Sequence, residues 1–192
     1  GFLIDDIDFS GVGMPATSFD VEQIEVLRGP QGTRYGANAL AGLINVRTTD
    51  PRPERELRTE LTAGEDGMTG VALVAGGATD LAGDESGAWR FAAQQARSDG
   101  FRRNRYLGRD DTNARDELTL RGKLRVQPRA GWQVDLAALY ADLDNGFDAF
   151  APDNSFATLS DRPGRDAQRA SGASAKVAVD LDAASLLSTT AF

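Results

Sequence analysis

The sequence predicts a mainly β chain in two unlike parts, and three observations carry that prediction. The first fifty or so residues are glycine-dense and broken into short apolar runs. From Leu57 onward apolar and polar residues alternate with a period of two over segments of about ten residues, which is strand periodicity. No run of about 18 apolar residues occurs, so no transmembrane helix is expected. The first part reads as strands joined by tight turns, the second as about seven antiparallel strands.

In the first part, Phe2-Leu3-Ile4-Asp5-Asp6-Ile7 is a short strand-like run. From Glu22 to Leu27, Ile24 and Val26 fall on one face and Gln23, Glu25 and Leu27 on the other, a strand that runs into the Arg28-Gly29-Pro30 break. Gly29, Gly32, Gly36 and Gly42 mark tight turns or close backbone approach. Between them the chain is too broken for a long helix, so one short turn around Thr33 to Asn38 is expected. Leu43 to Thr48 is a second β-branched run, ended by Asp50-Pro51.

In the second part, strands are expected near 56–63, 69–79, 88–97, 117–127, 131–142, 168–180 and 184–192. Leu118, Leu120, Gly122, Leu124 and Val126 share a face opposite Thr119, Arg121, Lys123, Arg125 and Gln127. Trp132, Val134, Leu136, Ala138 and Tyr140 oppose Gln133, Asp135, Ala137, Leu139 and Ala141, and Ala175, Val177, Val179 and Leu181 oppose Ser174, Lys176, Ala178 and Asp180. At about 3.3 Å per residue and a tilt of about 45°, ten residues cover about 23 Å, the apolar band of an outer-membrane barrel. The breaks alternate in length: Asp80 to Gly87, Gln127 to Gly131 and Asp182 to Ala184 are short, whereas Ser98 to Asp116 and Leu143 to Gln168 are long and charged. Barrels have short periplasmic turns and longer outer loops. The break at Gly64 to Thr69 is short where this scheme wants a long one. Alternation alone favours a soluble β-sandwich with one wet face. Trp132 and Tyr140, near opposite ends of one apolar face, and the charged opposite faces favour the barrel.

Composition closes several routes. The net charge of −8 argues against a nucleic-acid surface. With no Cys and no His, disulfides, zinc fingers and Ser–His or Cys–His nucleophile pairs are unavailable. Gly11-Val12-Gly13-Met14-Pro15-Ala16 matches a dinucleotide pattern, but no long helix follows it, and Gly29 to Gly36 lacks the Gly-Lys-Ser/Thr ending of a phosphate loop. Asp142, Asp144 and Asp148 with Asn145 and Gly146 do not have the spacing of a calcium loop. No catalytic residue, cofactor or metal site is expected.

Ile24-Glu25-Val26-Leu27-Arg28-Gly29-Pro30, then Tyr35-Gly36, then Gly42-Leu43-Ile44-Asn45-Val46 and Thr48, resemble the second half of the plug domain of TonB-dependent outer-membrane receptors. Phe2 to Ile7 resembles the preceding plug strand, with Asp6 where the family usually has Gly, which makes the turn geometry there a question for the structure. The resemblance implies residues 1–52 as the C-terminal part of a plug, a small α+β unit with a mixed sheet, and 53–192 as the N-terminal part of a transmembrane β-barrel. The family's barrels have about 22 strands around a plugged lumen, so seven form an incomplete barrel. The abrupt start at Gly1 and end at Phe192 lead to the expectation of a fragment.

By resemblance, such a receptor binds a scarce small molecule, chiefly a ferric siderophore, also cobalamin, haem or glycans. It sits in outer-membrane lipid and imports its ligand with energy from the inner-membrane TonB complex, whose contact segment lies outside this sequence. Arg28, Gly29, Pro30, Tyr35, Gly36, Gly42, Asn45 and Arg47 are the expected structural and gating residues of the plug motif. Two readings of Arg28 and Arg47 stand side by side: they pair with carboxylates of the plug or inner wall such as Glu25 and Glu60, because a guanidinium orients as well as attracts a carboxylate, or one or both satisfy plug carbonyls. Phe101, Arg102, Arg103, Phe147, Phe150 and Phe156 are the expected ligand-facing residues of the long loops. The rival reading is a soluble periplasmic or secreted β-rich binding module without transport activity.

Overall fold

The computed structural model describes residues 1–12, 17–81, 87–181 and 183–192. Gly13 to Ala16 of the dinucleotide-like run, most of the Asp80 to Gly87 turn and Asp182 of the last turn lie outside the described residues. The elements in order are β1 (Phe2–Ile4), β2 (Ile7–Asp8), β3 (Val21–Arg28), α1 (Gly32–Tyr35), β4 (Gly42–Thr48), β5 (Glu56–Ala63), β6 (Thr69–Thr79) and β7 (Gly87–Ser98). There follow β8 (Arg103–Asn104), β9 (Arg115–Val126), β10 (Trp132–Phe147), β11 (Ala157–Thr158), β12 (Gly164–Leu181) and β13 (Ala184–Ala191).

The N-terminal part is a mixed four-stranded sheet in the order β2-β1-β4-β3. β1 runs parallel to β4 with Phe2 opposite Ile44, and β3 runs antiparallel to β4 with Ile24 opposite Val46. The β1–β2 hairpin turns on Asp5 and Asp6, both at positive φ (47° and 68°). A two-residue hairpin loop of this kind needs positive φ at both positions, and Asp is among the few residues other than Gly that tolerate it. Asp6 therefore keeps the turn. Asp5 also gains from it: its carboxylate accepts from the Thr48 backbone N (3.0 Å) and hydroxyl (2.5 Å).

The second part is one antiparallel sheet of seven strands in the order β13-β12-β10-β9-β7-β6-β5, so the two end strands do not pair and the sheet is not closed. Its bounds follow the expected strands except at β10 and β12, which run on to Phe147 and begin at Gly164. Residues 143–147 and 164–167, expected as loop, are strand. The reason lies in the charges there. Arg169 and Arg165 bond Asp142 and Asp144 across the strand pair, so a stretch that reads as a solvated loop is a ladder of cross-strand ion pairs. The loops shrink to residues 99–114 and 148–163, and they are joined by a short parallel pairing of β8 with β11 that the sequence did not announce.

The sheet's inward face is the one that carries the N-terminal unit. Leu139, Ala141 and Ala170 pack with Phe2, Ile4, Ile7, Phe9 and Val46, and Ala72, Val74 and Ala92 pack around Phe19. Each buried Ile or Phe contributes on the order of 1.5–3 kcal/mol. Gly172 permits the closest approach, because a Cβ there would lie 2.5 Å from Ile7 Cγ2. The outward face leaves Leu57, Leu61, Val71, Trp89, Phe91 and Leu136 exposed.

Candidate functional site

Two polar assemblies stand out, one between the sheets and one in the joined loops. Between the sheets, carboxylates come from the N-terminal unit and cations from the wall. Asp20 meets Arg90 of β7 in a bidentate pair (Oδ2–Nε 2.9 Å, Oδ1–Nη2 2.5 Å), with both side chains about 95% buried. Arg90 Nη1 also bonds Glu56 of β5 at 2.7 Å. The Arg58 guanidinium lies 5.3 Å from the centre of the Phe19 ring, and buried Arg121 donates to the Phe19 carbonyl. Further along, Lys123 Nζ bonds Asp5 Oδ1 (3.2 Å), Asp50 Oδ1 (2.9 Å) and the Thr48 carbonyl (3.1 Å). Arg125 bridges Asp50 (3.0 Å) to Asp135 (2.5 Å). Lys123 and Arg125 thus clamp the chain just before Pro51, where it leaves one sheet for the other.

In the loops, one oxygen organises the structure. Asp148 Oδ2 accepts from Thr158 Oγ1 (2.6 Å), Thr112 Oγ1 (2.7 Å) and Asn104 Nδ2 (2.8 Å). All four residues are buried, and Asn104 and Thr112 belong to one loop while Asp148 and Thr158 belong to the other. Burial alone would raise the Asp148 pKa, but the hydroxyls of Thr158 and Thr112 and the Asn104 amide hold the carboxyl below the usual carboxylate range. On the surface of this unit Phe101 and Phe156, one from each loop, meet edge to face with ring centroids 5.8 Å apart. The Arg102 guanidinium lies 5.2 Å from the Phe101 ring and donates to the Ser155 carbonyl.

Residues 1–43 match the family described as TonB-dependent Receptor Plug Domain. The ferric yersiniabactin uptake receptor FyuA from Yersinia pestis superposes with a TM-score of 0.72 at 23% identity, over 85% of this chain and 26% of that one. Residues 1–43 carry the plug of the TonB-dependent receptors, and the chain as a whole is similar to these receptors. Its N-terminal sheet is part of a plug, and its seven strands are a run of barrel wall in the outer membrane. The open form of the ferric-catecholate import receptor Fiu from E. coli K12 gives a TM-score of 0.73 at 18% identity, over 99% of this chain and 31% of that one. By sequence, the vitamin B12 transporter BtuB of Vibrio vulnificus (strain YJ016) is 30% identical over 117 residues, which are 61% of this chain and 18% of BtuB. The ferric enterobactin receptor PirA of Pseudomonas aeruginosa is 49% identical over 43 residues, 22% of this chain and 6% of PirA. The chain therefore spans a small part of its relatives' length.

The plug motif sorts into structural and exposed positions. Arg28 pairs with Gly42 at the end of the β3–β4 ladder, and the amide of Gly29 closes onto the Ala41 carbonyl with Pro30 following. Gly36 ends α1 at φ 89°, which a side chain would strain, and Tyr35 packs against Leu3, Ala39 and Leu43. Asn45 is buried and donates to Glu25 (3.0 Å). The expected ion pairs of Arg28 and Arg47 are not formed: both side chains are exposed, and neither has an ion-pair partner among the described residues. Arg47 instead lines a recess of about 790 Å³ between plug and wall. The physical reason is the sign of the wall. Arg90, Lys123, Arg125 and Lys176 already point inward, so the matching charge on the plug must be negative, and Asp5, Asp6, Asp20 and Asp50 supply it.

Of the six expected loop residues, Phe101, Arg102 and Phe156 come together. Arg103 lies in β8, its backbone N bonded to the Phe156 carbonyl. Phe150 is exposed on the second loop, and Phe147 is the last residue of β10 rather than a loop residue. The Asp142, Asp144 and Asp148 trio is split: the first two bond arginines on the wall, and the third is buried between the loops. The sequence reading missed Asp20, Arg90 and Asp148 as organising residues. Inward parity marked Lys123 and Arg125 as lumen residues, whereas nothing in the spacing singled out a lone Asp after Phe19.

Proposed function

We propose that this chain, with residues 1–52 in the plug and 53–192 in the barrel, is part of an outer-membrane receptor that captures a scarce small molecule and imports it into the periplasm with energy from the TonB complex. The single observation that carries this reading is the plug sheet seated on the wall through paired charges that can part and be rehydrated. The same seam also carries apolar packing of Phe2, Ile4, Ile7 and Phe9 on Leu139, Ala141 and Ala170, which seats the plug between the charges. The outward row of exposed Leu57, Leu61, Trp89 and Phe91 suits lipid and does not suit the rival soluble binding module.

The ligand we assign is a ferric siderophore. Its supports are the names of the relatives, among them the ferric enterobactin receptor PirA and the ferric yersiniabactin uptake receptor FyuA, and the edge-to-face Phe101–Phe156 pair with Arg102 on the joined loops. The guanidinium attracts an anionic chelate, and the aromatic pair offers apolar surface to the chelate's organic framework. Capture at the loops precedes rearrangement of the plug, which opens a path along the wall. The relatives are transport receptors, and no bond-making step is assigned to this chain.

The test is accumulation of labelled ferric siderophores by cells that carry or lack the full-length receptor. Uptake that depends on the receptor and on TonB, with binding weakened about tenfold by F101A/F156A, supports the assignment. A full-length protein that stays soluble and monomeric without detergent overturns it. Receptor-dependent uptake of cobalamin in place of any ferric siderophore would overturn the ligand class alone.

A further inference from the structure

The outward face of the wall changes character part-way up, and the change is abrupt. Along β10 the outward residues are Trp132, Val134, Leu136, Ala138 and Tyr140, then Asp142 and Asp144. Trp132 to Tyr140 is eight residues, about 19 Å of membrane normal at a tilt of about 45°, and Asp144 lies about 28 Å from Trp132. An apolar band about 25 Å tall therefore ends between them. The charged positions lie at the level of lipid headgroups, on the side that carries the long loops and so faces outside.

Neighbouring strands place complementary groups at this level. Arg97 of β7 meets Asp116 of β9 (3.1 Å), and Arg169 and Arg165 of β12 meet Asp142 (2.8 Å) and Asp144 (2.5 Å) of β10. Between them is a recess of about 450 Å³ lined by Asp116, Leu118, Asp144, Arg165, Ala167 and Arg169, among others. The small Ala167 lies between the two arginines on the outward face and leaves the space open. Arg165 and Arg169 each bond their carboxylate through Nε and Nη2, and Nη1 of each has no partner among the described residues. Their side chains are about 70% exposed.

From this geometry we propose that the recess is a headgroup site for a phosphorylated lipid of the outer leaflet. The proposal rests on the chain's place in the outer membrane and is independent of the cargo. A phosphate takes the free Nη1 donor of each arginine, one charge-assisted hydrogen bond from Arg165 and one from Arg169. Leu118 continues the wall downward into the apolar band, where the acyl chains lie.

Detergent-solubilised full-length receptor, titrated with a bisphosphorylated glycolipid, with phosphatidylcholine and with inorganic phosphate, tests this. The glycolipid is expected to raise Tm while the other two do not. R165Q/R169Q should weaken glycolipid binding at least tenfold, and A167W, which fills the recess without removing a charge, should do the same. Both variants should keep the parent's circular dichroism spectrum and its urea midpoint in the absence of lipid, which reports that they fold whatever the cargo is. Unchanged glycolipid binding in the two variants overturns the proposal, as does an equal Tm shift from inorganic phosphate or phosphatidylcholine.

Discussion

The seam between plug and wall and the seam between the two outer loops are both polar, yet they are built from different chemistry. Between plug and wall, full charges oppose each other: Asp20 with Arg90, Asp5 and Asp50 with Lys123, Asp50 with Arg125. Between the loops, one charge is surrounded by neutral donors and the backbones pair directly. Charged groups lose much solvation when buried and regain it when separated, so a charge seam costs little to open into a wet lumen. The loop seam adds backbone pairing of β8 with β11 to the buried carboxylate and its three donors, so parting it breaks all of these bonds together. The comparison assigns the two seams different duties. The plug seam is a joint, and the loop seam is a weld that presents a fixed outer surface.

The largest expected effect is at the joint. Arg90→Ala leaves buried Asp20 with only the longer contact to Arg58 (3.5 Å) in place of its bidentate pair, and should cost about 3 kcal/mol against urea in the full-length receptor. D20N in the same background should recover part of that loss, since it removes the stranded charge. If R90A alone is harmless, the joint is not ionic and the comparison fails.

The next effect is at the weld. Asp148→Ala strands Asn104, Thr112 and Thr158 and should cost about 3 kcal/mol. Hydrogen exchange should rise together in residues 99–114 and 148–163 while the plug amides stay unchanged. Because the folded pKa of Asp148 is depressed, its contribution is fully present at neutral pH and is lost as the pH falls below the usual carboxylate value of about 3.9. Loop exchange measured across that range should rise on acidification in the parent and not in D148A.

Gly172→Ala comes third. The added methyl overlaps Ile7 Cγ2 and should cost about 1–3 kcal/mol, with I7A in the same chain restoring it. No restoration would mean that the plug does not seat on the wall there. The smallest effect belongs to R28A and R47A, which should leave urea resistance unchanged because neither guanidinium holds a carboxylate.

Much of the fold was legible because strand periodicity is a local signal. Parity along β9 and β10 placed Lys123, Arg125 and Leu139 inward and Leu124 and Tyr140 outward, as they stand. The Asp5-Asp6 turn was harder: Asp in place of Gly left its geometry open, and only the φ values settle it. Charge misled twice. Asp144 and Arg165 read as a loop because sequence shows their polarity and hides their pairing across strands. Arg28 and Arg47 were expected to hold the plug because the sign of the wall opposite them depends on tertiary structure. Asp148 carried no local mark, since its three donors come from positions 10, 36 and 44 residues away.

The central claim is that carboxylates of the plug on cations of the wall, and not the arginines of the plug motif, keep the lumen shut. Conductance of the full-length receptor in planar bilayers, followed as urea is raised, tests it most directly. R90A should open at a lower urea concentration than the parent, and R28A/R47A should open with the parent. Openings that come early in R28A/R47A and at the parental concentration in R90A would contradict the account.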